Sequence, residues 1–192
     1  MNLILASQSP RRRELMALFG KPFSVQSPRI DETMDPHGDP AREVAKVSFR
    51  KASAVDAGPE DIVVAADTIV VCSGMVMGKP GSPQDAERML ALLSGRDHQV
   101  MTGLTVKVGQ RCITSTEITH VYFRELTRKE ILGYIATGEP MDKAGAYGIQ
   151  GGAALFCQRM EGDYYNVMGL PVCALGQVLK QIAPEWMEDQ QA

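Results

Sequence analysis

No apolar run in this 192-residue sequence approaches the roughly 20 residues that a membrane-spanning helix requires, and its first residues lead into a strand pattern instead of a signal peptide. The expectation is a cytoplasmic protein with no membrane partner. Cysteine is scarce and scattered: Cys72, Cys112, Cys157 and Cys173 show no CxxC or Cys/His spacing, which argues against zinc or a redox pair and for reduced thiols. The three histidines, His37, His98 and His120, also lack metal-ligand spacing and read as core or surface residues. A basic excess is missing too. The net charge of −3 speaks against a protein that coats nucleic acid or anionic membrane, so any basic patch must be local. No repeat, low-complexity tract or linker divides the chain, which predicts a single domain over residues 1–192 with a polar tail from about residue 185.

What is present is core-forming material, 44% of residues being hydrophobic, which argues for a folded globular chain. Strand and helix patterns alternate. After a strand at Ile4, Ser9 and Pro10 open a helix with Leu15, Leu18 and Phe19 as its apolar stripe and Gly20 as its stop. Asp39 and Pro40 open a second helix that ends near Gly58, and Ser82 with Pro83 opens a third, with Ala86, Met89, Leu90 and Leu93 as its stripe and Gly95 as its stop. "DIVVAADTIVVC" reads as a buried strand interrupted only by Asp67 and Thr68. Residues 98–124 alternate as two strands joined at Gly109 and Gln110, and Thr127 with Glu130 forms a capping box for a helix running to Gly138. A strand near 154–160 and a last helix from Pro171 complete the pattern. The fold class is therefore α/β with a mixed sheet and flanking helices.

Several residues read as chemistry. "SPRRR" places Arg11, Arg12 and Arg13 at a helix start, where positive charge is unfavourable unless an anion is bound. The Ser7 and Ser9 hydroxyls, the first-turn amides and the guanidinium groups can converge on a phosphate; the alternative is a solvated basic turn. Lys51 lies on the apolar face of the second helix beside Val47, Ala54 and Val55, so its ammonium needs an anionic partner or a snorkelling route to water. Asp67 inside a hydrophobic strand must be hydrogen-bonded, paired or metal-bound, unless it marks a turn between two short strands. Asp31 and Glu32 add acids in a loop, and Lys79 sits in a tight "GKP" loop before a helix. "DKAGAYGIQGG" is glycine-rich enough for close backbone approach to a ligand but does not match GxxxxGK[ST]. Together these propose one pocket. Arg11, Arg12, Lys51 and Lys79 hold a polyphosphate while Glu32 and Asp67 bind a divalent metal or activate water.

"LASQSPRR", "DE" at Asp31, "RKA" at Arg50, "AADTIV" at Ala65, "GKP" at Gly78, "LSGRDHQVMTG" at Leu93 and "DKAGAYGIQG" at Asp142 resemble, in order, the motifs of the Maf family of nucleoside triphosphate pyrophosphatases. The resemblance implies a fold related to the inosine triphosphatase type with two lobes around a cleft, and often a homodimer. It implies hydrolysis between the α- and β-phosphates with Mg²⁺ or Mn²⁺. By motif position Asp67 is the catalytic base, Arg11, Thr68 and Gln150 fall where the family sets substrate choice, and Ser7, Arg12, Glu32, Lys51 and Lys79 line the same cleft. "ADT" with "KAGAYGIQG" is similar to the members acting on dTTP and UTP. Many relatives carry a glutamate before "GKP", where this chain has Met77 and Gly78. The alternative from another class is a regulator of cell division that holds a nucleotide without hydrolysing it.

Overall fold

Three helices start the same way, with a short polar cap followed by proline. In the computed structural model, which describes residues 1–188, α1 spans Pro10–Ala17, α2 spans Pro40–Ser53 and α3 spans Pro83–Leu93. Ser9, Asp39 and Ser82 are their N-caps, each side chain accepting a backbone N–H of the first turn while proline occupies a position whose N–H has no helical partner. In α3 the buried face is Ala86, Met89, Leu90 and Leu93, as the spacing predicts. In α1 the stripe is shifted: Leu15 and Met16 are buried, while Leu18 caps the C-terminus and is 60% exposed. The second helix also ends earlier than Gly58, its C-cap being Ala54.

The strands are β1 (Leu3–Leu5), β2 (Ser24–Val25), β3 (Ile62–Cys72), β4 (Met75–Met77), β5 (Asp97–Val108), β6 (Arg111–Phe123) and β7 (Cys157–Glu161). They form one mixed sheet in the order β2-β1-β3-β5-β6-β7, with β4 paired to β3. β1 is parallel to both β2 and β3, with Leu3 opposite Ile62 and Leu5 opposite Val64. β4 is antiparallel to β3, and β7 to β6. β5 and β6 meet at Gly109 and Gln110, the glycine at φ +56°, where a left-handed residue is needed to close the turn. β3 is continuous, so Asp67 is not a turn residue; it and Thr68 are the half-buried positions of an otherwise buried strand. β7 starts at Cys157 because residues 152–155 form a 3₁₀ turn first.

The remaining helices are α4 (Arg128–Ala136), α5 (Tyr164–Met168), α6 (Val172–Ile182) and α7 (Pro184–Glu188). The Thr127–Glu130 capping box of α4 is formed in both directions. α7 corrects the expected polar tail from residue 185. Trp186 is 7% exposed, its ring 6.3 Å from that of Phe19 and 4.5 Å below the Lys21 ammonium, so residues 185–188 are held by apolar and cation–π contacts; the rest of that tail lies outside the described residues. No described helix is long and apolar enough to cross a membrane.

The described chain resolves into two compact units built from interleaved segments, 1–67, 102–117 and 169–188 forming the first and 68–101 with 118–168 the second. The first unit has Ile4, Ala6, Ala52, Val55, Val63 and Ala65 as one core cluster. In the second, an aromatic core joins Phe123 to Tyr147, Phe156 and His98 at centroid distances of 4.8, 6.0 and 4.9 Å.

Candidate active site

The first unit gathers Ser7, Arg12, Glu32, Lys51 and Asp67. Lys51 leaves the last turn of α2, and its Nζ donates to Asp67 Oδ1 at 2.6 Å and pairs with Glu32 Oε1 at 3.0 Å. Its side chain and that of Asp67 are each 13% exposed, whereas Glu32 is 58% exposed. The lysine therefore does not snorkel free into water; it bridges two carboxylates, one sheltered and one open to solvent. A half-buried carboxylate on a strand is costly without such a partner, and the Asp67 pair supplies it.

Arg12 is fixed by its own hydrogen bonds. Its Nε donates to the Gly169 carbonyl at 2.7 Å and its Nη1 to Ser7 Oγ at 3.3 Å, while Ser7 Oγ also accepts from Ser9 N at 3.2 Å. Burial and the neighbouring Arg11 charge lower the Arg12 guanidinium pKa, and the fields of Asp67 and Glu32 oppose that shift. Arg11, Arg12, Glu32 and Asp67 are thus near enough to act on one another electrostatically. With Lys51, the cations of the cluster outnumber its two carboxylates by one, which suits a polyanion. Arg13 is exposed beyond it.

The turn around Glu32 is held by its neighbours in sequence and by α2. Asp31 Oδ1 accepts from Thr33 N at 2.9 Å, closing a local turn around Glu32, and Arg50 Nη2 donates to the Thr33 carbonyl at 2.8 Å. The hydrogen bonds from Thr33 hold the Asp31 carboxyl below its ordinary pKa, so the turn is closed by an ionised side chain. Arg50 is next to Lys51 on α2, so one helix end presents a cation to Glu32 and a tether to its loop.

The other three expected site residues belong to the second unit. Thr68 follows Asp67 on β3 and is half-buried; Lys79 is exposed in the loop after β4; Gln150 is exposed in a turn within the glycine-rich stretch. The Lys79 and Gln150 loops are tied to each other. Gly145 N donates to the Gly78 carbonyl at 3.0 Å, and Gly145 packs so closely on Val70 that a Cβ there would lie 2.8 Å from its Cγ2. Gly145 also sits at φ +67° and Ala146 at φ +60°, so the close approach is built from left-handed backbone.

The profile of the Maf-like protein family matches residues 2–182. The chain belongs to the Maf family. A Maf relative from Moorella thermoacetica, named dTTP/UTP pyrophosphatase, is 53% identical over 182 residues, covering 92% of this chain and 93% of its own. One from Bacillus cytotoxicus with the same name is 48% identical, covering 93% and 94%. A solved HAM1 protein from Coxiella burnetii is similar at 12% identity and a TM-score of 0.48, over 94% of this Maf chain and 99% of that chain.

Proposed function

We propose that this Maf-family chain hydrolyses dTTP and UTP to the nucleoside monophosphate and pyrophosphate. The observation that carries the reading is the Lys51 bridge between Asp67 and Glu32 beside Arg12: it supplies a sheltered carboxylate and a surplus of fixed cations in one cluster. The relatives' names support the choice of nucleotide.

In this reading Arg11 and Arg12 bind triphosphate oxygens, Ser7 holds Arg12 in place, and Lys79 adds a further cation. Asp67 accepts a proton from water as the water oxygen bonds to the α-phosphorus; the bond from that phosphorus to the bridging oxygen breaks and pyrophosphate leaves. Thr68 and Gln150 select the base, since a side-chain amide both donates to and accepts from a pyrimidine edge. Among the described residues no three His, Cys, Asp or Glu side chains gather into a metal cage. Two carboxylates do gather, and that donor set fits Mg²⁺ or Mn²⁺, hard cations commonly held by one or two carboxylates and the substrate's own phosphates. Glu32 and Asp67 would hold such an ion, whose chemistry is charge neutralisation and a lowered pKa for bound water.

The test is pyrophosphate release from a panel of nucleotides with Mg²⁺ or Mn²⁺, wild type beside Asp67→Asn. Release from dTTP and UTP is expected, falling roughly 10²- to 10⁴-fold in the variant. Full turnover by Asp67→Asn removes the assigned base, and binding with no release from any nucleotide makes the protein a nucleotide holder.

A further inference from the structure

The turn from Gly148 to Gly152 carries Gln150 at its centre, and a single pair of side chains holds both of its ends. Gly148 N donates to the Tyr134 hydroxyl oxygen at 3.0 Å, and that hydroxyl donates to Glu139 Oε1 at 2.8 Å. Glu139 Oε2 accepts from Gly152 N at 3.1 Å. Between them Gly151 N closes on the Gly148 carbonyl at 3.1 Å. One carboxylate oxygen and the phenol oxygen therefore accept from the two ends of a five-residue turn, and the phenol O–H ties the other carboxylate oxygen to the first side chain. Tyr134 itself is buried, on the inner face of α4, and Ile149 is buried beside the exposed Gln150, so the turn has an anchored side and a presented side.

The glycines of the turn are the counterpart of this clamp. A Cβ on Gly151 would lie 2.0 Å from Glu139 Oε1, and one on Gly152 would lie 3.2 Å from the Tyr134 ring. One on Gly148 would lie 2.6 Å from Cε of Lys143, whose Nζ donates to the Glu139 carbonyl at 2.6 Å. Side chains at these positions would push the turn off the clamp. Burial keeps the Tyr134 hydroxyl protonated far above neutral pH, so it remains a donor to Glu139 at all working conditions.

We propose that Tyr134 and Glu139 are positioning residues for base selection: by fixing both ends of the Gln150 turn they hold its amide in one register, and they set which nucleotide is taken more than how fast it is cleaved. The proposal rests on the reading of Gln150 as a base-selecting residue. Uracil offers an acceptor at O4 where cytosine offers an N4 donor, so the two bases ask opposite things of one amide, and discrimination by such a group depends on holding it still.

The experiment compares UTP with CTP in wild type, Tyr134→Phe, Glu139→Gln, Gln150→Ala and Tyr134→Phe/Gln150→Ala. It measures kcat and KM by pyrophosphate release, Kd for both nucleotides by calorimetry, and amide exchange across residues 148–152. Tyr134→Phe and Glu139→Gln are expected to keep kcat for UTP within about threefold while the UTP preference over CTP falls about tenfold. The Gly148 and Gly152 amides should exchange faster in both, and the double variant should be no less selective than Gln150→Ala alone, because clamp and amide act through one element. An unchanged preference with faster exchange overturns the role in selection, and unchanged exchange overturns the clamp. Additive losses in the double variant assign the two residues to a separate effect and overturn it as well. If wild type releases no pyrophosphate, the hydrolase reading fails, and the Kd ratio still decides this proposal.

Discussion

At the scale of single residues, Lys51 shows how one side chain can be both a structural tie and part of the chemistry. The sheltered arm to Asp67 and the open arm to Glu32 differ in worth. The exposed pair is screened by water, while loss of the sheltered partner leaves Asp67 half-buried and uncompensated. Lys51→Met should therefore lower stability by about 2 kcal/mol, read from the urea midpoint, with Asp67 responsible for most of it. Glu32→Gln should leave that midpoint nearly unmoved. If the two variants destabilise equally, the burial argument is wrong. Lys51→Met should also lower turnover, and Lys51→Arg should recover little of it, because a planar guanidinium spreads over a fork the charge that the ammonium concentrates at one point, 2.6 and 3.0 Å from the two carboxylate oxygens.

At the scale of elements, β5 passes α2 with no room for a side chain at Gly103. A Cβ on Gly103 would lie 2.4 Å from the Val44 carbonyl oxygen and 2.8 Å from Ala45 N, both backbone atoms that cannot turn aside. Gly103→Ala should cost at least about 2 kcal/mol of stability, and a melting temperature within a degree of wild type would show that strand and helix separate easily. Removing the cap of α4 with Thr127→Ala should cost about 1 kcal/mol by the same measurement. Elements like these were legible because their signals are local: Ser-Pro and Asp-Pro starts, the capping box, and the four-residue stripe of α3. Two-residue β2 and three-residue β4 carry too little periodicity to be read, and α7 was hidden because its one anchor, Trp186, finds Phe19 and Lys21 far away in sequence. The site divides the same way. Lys51 and Asp67 were each legible as polar groups in apolar patterns, yet that they meet is a fact of tertiary structure. Tyr134 and Glu139 carry no such signal, since what they hold is backbone amides of a turn 14 and 13 residues further along the chain.

At the scale of the whole molecule, buried and exposed titratable groups predict a two-stage loss of stability in acid. His98 is 2% exposed, against the rings of Phe123 and Tyr147, with Nε2 2.8 Å from the Tyr147 hydroxyl; its Nδ1 has no hydrogen-bond partner among the described residues. Burial pushes its pKa down from 6.5 to about 4, with Asp97 opposing. Between these values the unfolded chain takes up a proton that the native chain refuses, so stability falls as pH drops through the window, by about 3 kcal/mol in all. The carboxylates act lower. Glu130, held by Arg124 at 2.6 Å and by Thr127, has its pKa lowered from 4.5 to about 2, and hydrogen bonds from Asn2 and Gly81 hold Asp61 and Asp85 below their ordinary range. What these groups contribute is present above their unfolded pKa values and is lost only as pH falls further, toward 2 for Glu130. Urea midpoints measured from pH 8 to pH 3 should therefore begin to fall near pH 6.5, above the range in which the contributions of Glu130, Asp61 and Asp85 are lost. In His98→Gln the baseline stability should be lower, but the fall should not start until about pH 4.5. A variant that keeps the wild-type slope between pH 6.5 and pH 4.5 would assign that slope to some other group and remove the buried imidazole as its cause.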